Sequence, residues 1–126
     1  MATILIVEDD PLISMTAADM VIDLGHQPIE AYSGTQALAL LEANASIDLL
    51  MTDQAMPGMT GMDLARKARS LYPSLPILIT TGYPDLQDAD GLGVVCVSKP
   101  YVQQQLADAF GRLLARSPTG NTRRGS

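Results

Sequence analysis

The chain has 126 residues, 47% of them hydrophobic, and a formal net charge of −6. That length fits one domain with a proper core, and the acidity argues against nucleic acid as a partner. No stretch nears the roughly 18 apolar residues of a membrane span, no basic region opens a secretory signal, and the single cysteine, Cys96, excludes an internal disulfide and suits a reducing cytoplasm.

Thr3–Val7 is a short apolar run of strand character, and three acids follow it, Glu8, Asp9 and Asp10. Asp10 suits a helix N-cap and Pro11 the first helical position, so a helix starts here and runs to Gly25. Gln27–Ala31 reads as a second strand. Ser33 and Gly34 open a second helix with Ala37, Leu38, Leu40 and Leu41 as its apolar positions. A turn over Asn44–Asp48 leads into a third strand, Leu49 to Asp53, which the Met56-Pro57-Gly58 break ends. A third helix begins at Gly61-Met62-Asp63, with Leu64, Ala68 and Leu71 on one face. Ile77–Thr80 is a fourth strand ending at Thr81-Gly82. Asp85–Gly91 is polar and predicts at most two turns of weak helix. Gly93–Val97 is a fifth strand ending at Ser98-Lys99-Pro100, where a tight cis bond fits. Val102, Leu106, Ala109, Phe110, Leu113 and Leu114 recur at helical spacing. The pattern predicts a folded domain over residues 1–116 and a disordered tail, 117–126, which has no apolar residue.

Strands alternating with helices predict an α/β fold, (βα)5, doubly wound about a five-stranded parallel sheet, with a short or irregular fourth helix. In such a sheet all strand ends of one kind share an edge, and ligands bind at that edge. Glu8 and Asp9, then Asp53, Thr81 and Lys99 would all collect there. Each like-charged carboxylate pair at ~4 Å costs about 1 kcal/mol in water and about 4 at an effective dielectric of 20. A cation would relieve that repulsion. Oxygen donors without His or Cys favour Mg²⁺ over zinc. An aspartate beside Mg²⁺, a lysine and a threonine hydroxyl is a set suited to a phosphoryl group. The carboxylate serves as nucleophile and the cations neutralise phosphoryl oxygens.

Residues 2–115 resemble a response-regulator receiver domain of two-component signalling, with its flavodoxin-like, CheY-like fold. The shared pattern is an apolar strand before Glu8-Asp9, Asp53 with Pro57 and Gly61 downstream, then Thr81, then Lys99-Pro100. The resemblance implies that Asp53 is the phosphoacceptor. It implies Asp9 as a direct Mg²⁺ ligand, Glu8 as a ligand through water and the backbone carbonyl of Ala55 as a third protein ligand. Thr81 would be the switch hydroxyl, in competition with Thr80, and Lys99 would bind a phosphoryl oxygen. Pro76–Tyr83 is also similar to the PFxFATGY-type signature of a subgroup that includes single-domain regulators, with aliphatic residues in place of both phenylalanines and Thr80 in place of the alanine.

The implied partners are a histidine kinase or histidine phosphotransfer protein upstream. Downstream, a protein would read the Asp85–Gly91 segment, the fifth strand and the last helix. A receiver of a hybrid histidine kinase, or a phosphate sink, carries the same motifs. An enzymatic alternative is a small Mg²⁺-dependent phosphohydrolase using an aspartyl phosphate. Ala55 stands where such enzymes often place a second acid, which argues against turnover. Where many receivers have an aromatic, three residues before the lysine, this chain has Cys96. The expected response is therefore a loop rearrangement and not an aromatic rotamer switch.

Overall fold

The structure, a computed structural model, describes residues 1–44, 46–82 and 94–116, with Arg116 by its backbone alone. Five strands form one sheet: β1 (Thr3–Val7), β2 (Gln27–Ala31), β3 (Leu49–Asp53), β4 (Ile77–Thr81) and β5 (Val95–Ser98). Four helices accompany them among the described residues: α1 (Pro11–Asp23), α2 (Gly34–Ala43), α3 (Gly61–Leu71) and α4 (Gln103–Arg116). The strand order is β2-β1-β3-β4-β5 and every pairing is parallel. This is the doubly wound α/β sheet that the alternation of elements predicts.

Both faces of the sheet are covered, which explains why β3 and β4 are buried at every position. Leu5, Val7, Leu50, Ile77 and Ile79 pack on one face against Ala37 and Leu41 of α2 and Leu64, Ala65 and Ala68 of α3. Ile4, Ile6, Leu49, Met51, Leu78 and Val97 pack on the other against α1 and α4. Phe110 of α4 is among the largest fully buried side chains. Leu71 departs from the expected apolar face: it closes α3 with 63% of its surface exposed. β5 is also shorter at its start than the sequence pattern implies, because Val94 precedes the ladder, and it runs one residue further, to Ser98. The expected weak helix over 85–91 and the tail, 117–126, lie outside the described residues.

The helix ends are specified locally. Asp10 caps α1, its side chain accepting from the N–H of Leu12 at 2.9 Å, with Pro11 at the first position. Gly25 follows that helix at φ +90°, a left-handed position that suits glycine. Ser33 caps α2 through the N–H of Gln36. Thr60 and Asp63 form a reciprocal capping box at α3.

The start of α3 is pressed against the end of β3. The N–H of Gly61 donates to the carbonyl of Gln54 at 3.0 Å, and the Gln54 side-chain oxygen accepts from the N–H of Met62 at 2.8 Å. A Cβ on Gly61 would lie 2.5 Å from the Asp53 carbonyl oxygen. That obstacle is backbone and cannot swing aside. Gly61→Ala is therefore expected to cost about 1–3 kcal/mol in urea unfolding. Gly34→Ala is expected to cost less, because the nearest obstacle there is the sulfur of the flexible Met59 side chain. Equal costs for the two substitutions would contradict this packing.

Candidate functional site

The strand order reverses between β1 and β3, since β2 lies to one side of β1 and β4 and β5 lie beyond β3. The carboxyl ends of the strands at that reversal frame a crevice in sheets of this kind. Val7 is in register with Thr52, so the next residue on each chain, Glu8 and Asp53, come side by side there. Carboxylate oxygens of Glu8, Asp9 and Asp53 all lie within 4.8 Å of one another. Glu8 and Asp53 are buried, while Asp9 is exposed. Lys99, just past β5, reaches across with its Nζ 2.7 Å from Asp53 Oδ1 and 3.7 Å from Glu8 Oε1. The Lys99-Pro100 bond is cis. Residues from β1, β3 and β5 thus meet at one edge, as the spacing of the motifs predicts.

Asp10 stands apart from this group because its side chain caps α1. Ala55 lies two residues beyond Asp53 in the exposed loop before α3. The two threonines at the end of β4 occupy different places. Thr80 is in register with Asp53 and lines a small cavity with Asp53 and Glu8. Thr81 is also buried, and strand alternation puts it on the opposite face of β4 from Thr80. Its carbonyl accepts the N–H of Lys99 at 2.7 Å, which ties the end of β4 to the lysine. Three carboxylates facing one ammonium form a hard, oxygen-rich, net negative site. Its donor set fits a hard divalent cation held by Glu8, Asp9 and Asp53.

A family model described as the response regulator receiver domain matches residues 4–110. The chain belongs to that family. It is 35% identical over 120 residues to the chemotaxis protein CheY of Pseudomonas aeruginosa, covering 90% of this chain and 96% of that protein. It is also 29% identical over 120 residues to the sensor kinase CckA of Brucella abortus, covering 91% of this chain but 13% of the kinase. The chain spans 17–23% of three further curated relatives. Among solved structures, the response regulator TrrA of Thermotoga maritima in complex with Mg²⁺ and BeF superimposes with a TM-score of 0.82 at 25% identity, covering 90% of this chain and all of that one. Receiver domains accept phosphoryl groups in two-component signalling and work with histidine kinases or phosphotransfer proteins. Among the described residues of this receiver, no helix is long and apolar enough to cross a membrane.

Two residues at or near the sheet edges were not legible as functional or structural parts from motif spacing. Tyr101 lines the cavity that holds Asp53 and Glu8. Its only sequence signal is that it follows Lys99-Pro100. Burial, with the Glu8 and Asp53 charges, raises its phenol pKa above the ordinary value, so the hydroxyl keeps its proton. His26, which reads as a surface loop residue in the sequence, is half-buried at the opposite edge. It accepts the Ala2 N–H at 3.0 Å through Nδ1 and meets the Phe110 ring edge-on at 5.7 Å.

Burial pushes the Glu8 carboxyl up from 4.5 to about 7, against the pull of the Asp10 N–H and of Lys99 and with the help of the Asp53 charge. Its folded-state pKa exceeds the unfolded one, so the folded state holds a proton that the unfolded chain releases between these values. The stability this provides is complete below about pH 4.5 and is lost as pH rises through about 7. In metal-free buffer, this receiver is therefore expected to lose on the order of 2 kcal/mol more stability than Glu8→Gln across that window. The paired comparison is needed because His26, whose pKa burial lowers, contributes in the opposite sense as pH rises through its own range. Parallel pH profiles of unfolding free energy for parent and variant would contradict the burial of Glu8.

Proposed function

We propose that this receiver is a phospho-aspartate switch in which Asp53 takes a phosphoryl group from the phosphohistidine of a histidine kinase or phosphotransfer protein. The observation that carries this reading is the contact of Lys99 Nζ with Asp53 Oδ1 at 2.7 Å, inside a cluster with Glu8 and Asp9. In the transfer, an Asp53 carboxylate oxygen bonds to phosphorus as the phosphorus–nitrogen bond to the donor imidazole breaks. Lys99 exchanges its contact with the carboxylate for one with a phosphoryl oxygen. Mg²⁺, held by Glu8, Asp9, Asp53 and the Ala55 carbonyl, would add positive charge to the phosphoryl oxygens. The chain has no second acid at Ala55 to protonate an organic leaving group, so its chemistry is its own phosphorylation and dephosphorylation. Asp53→Asn is expected to take no label from acetyl phosphate or from a phosphorylated kinase. Undiminished labelling of that variant would overturn the assignment.

Thr81 is the hydroxyl we assign to the switch. Its backbone bond to Lys99 links the phosphoryl site to β5, and Gly82 follows it to accommodate a backbone change. A charged phosphoryl acceptor draws the hydroxyl inward and carries the end of β4 with it. The downstream partner then reads β5, α4 and the Asp85–Gly91 segment. Thr80 is the second reading, favoured by its place in the Asp53 cavity. Beryllofluoride, a phosphoryl mimic, separates the two: amide shifts in β5 are expected to vanish in Thr81→Ala and persist in Thr80→Ala. The reverse result assigns the switch to Thr80.

The donor must approach from the open edge, and the surface beside Lys99 is apolar. Leu12 is 69% exposed and Met15 52%, and Leu12 and Met20 line an open groove that runs to Lys99 and Pro100. We assign this flank of α1 to the donor protein. Leu12→Gln is expected to slow transfer from a kinase about tenfold while sparing labelling by acetyl phosphate, which needs no docking. Equal rates from the kinase would remove α1 from the donor surface.

Residues 1–116 form the receiver unit in this reading, working in the cytoplasm, and the partial match of Pro76–Tyr83 supports a likeness to the PFxFATGY-type subgroup. The likeness to CckA supports the alternative of a hybrid-kinase receiver or phosphate sink, which uses the same site.

A further inference from the structure

Two side chains stand between the space beside Asp53 and the groove on α1, since they line both. The inner cavity, bounded by Asp53, Glu8 and Thr80, measures about 10 Å³. A cavity needs at least ~10–15 Å³ to hold one water, so this one has no room for a second. The outer groove, bounded by Leu12, Met20 and Pro100, is open and measures about 560 Å³. Ile13 and Tyr101 line both spaces. Ile13 sits in the first turn of α1, and Tyr101 lies two residues past Lys99 and packs against the core of α1 and α4. Among the described residues, the Tyr101 hydroxyl makes no hydrogen bond. What Tyr101 presents to both spaces is therefore chiefly its ring.

We propose that Ile13 and Tyr101 form a wall between the open groove and the Asp53 cavity, and that this wall sets how long a phosphoryl group stays on Asp53. The inference rests on Asp53 as phosphoacceptor and assigns Ile13 and Tyr101 as positioning residues for its loss. In that loss, a water oxygen bonds to phosphorus while the bond between phosphorus and the Asp53 oxygen breaks. The carboxylate leaves as such, and the water's proton goes to the inorganic phosphate released. Lys99 holds the phosphoryl oxygens throughout and cannot exclude water by itself, since 29% of its side chain is exposed. A dry flank on the α1 side limits the positions from which water reaches the phosphorus.

The test follows loss of label from the full chain after phosphorylation with labelled acetyl phosphate, alongside thermal melts of each variant. Tyr101→Ala and Ile13→Ala are each expected to shorten the half-life about threefold to tenfold. Tyr101→Phe keeps the ring and is expected to keep the parental half-life. If Tyr101→Ala fails to fold, Tyr101→Leu and Ile13→Ala decide. Parental half-lives in the folded wall variants would overturn the wall. A Tyr101→Phe half-life as short as that of Tyr101→Ala would also overturn it, because the hydroxyl would then be the active group. A parent that takes no label at all overturns the phosphoacceptor reading itself, and the wall with it.

Discussion

The ion pair between Lys99 and Asp53, 2.7 Å long and set among the acids of Glu8 and Asp9, is the constraint on which the rest of this receiver depends. Two of those carboxylates are buried. Burying charge is costly unless it is paired, and breaking such a pair leaves an uncompensated charge behind. One ammonium cannot neutralise three carboxylates. The fold therefore holds a site with excess negative charge, and burial, helped by the Asp53 charge, raises the Glu8 carboxyl to about 7. A divalent cation would bring the charge to balance, and would offset the further negative charge that a phosphoryl group adds. Function and instability share this origin.

The framework that holds these charges together is apolar and rigid. β3 and β4 are buried throughout, and each face of the sheet carries its own continuous core. Register does the fine positioning. Val7 opposite Thr52 brings Glu8 to Asp53, and Thr80 opposite Asp53 fixes which threonine lines the cavity. On the far side, Gln54 binds the start of α3 through both its backbone and its side chain. The loop after Asp53 is thereby anchored at both ends. At the end of β4, the bond from the Lys99 N–H to the Thr81 carbonyl ties that strand to the lysine.

Much of this was legible because strand ends are marked by chemistry. Apolar runs too short for helices ended at Glu8, Asp53, Thr81 and Lys99, and a parallel sheet brings such ends to one edge. Caps were readable wherever a side chain and its helix are adjacent in sequence, as with Asp10, Pro11 and Ser33. Leu71 misled because helical spacing identifies a face but not where the neighbouring layer stops. His26 and Tyr101 were obscure for another reason. Their partners, Ala2 and Phe110 for the one, Glu8 and Asp53 for the other, are distant along the chain, and no local pattern records them. The choice between Thr80 and Thr81 turns on a pleat direction that sequence spacing alone leaves open.

The most direct test of the charge balance is a calorimetric titration of Mg²⁺ into the parent and into Lys99→Met. If Lys99 and the metal compete for the same three carboxylates, removing the ammonium strengthens Mg²⁺ binding by about tenfold, the equivalent of 1.4 kcal/mol. The account predicts that gain together with a loss of labelling on Asp53, because the lysine is also needed to hold the phosphoryl group. Unchanged or weaker Mg²⁺ binding in Lys99→Met would show that the metal and the lysine do not share one site, and would contradict the account at its centre.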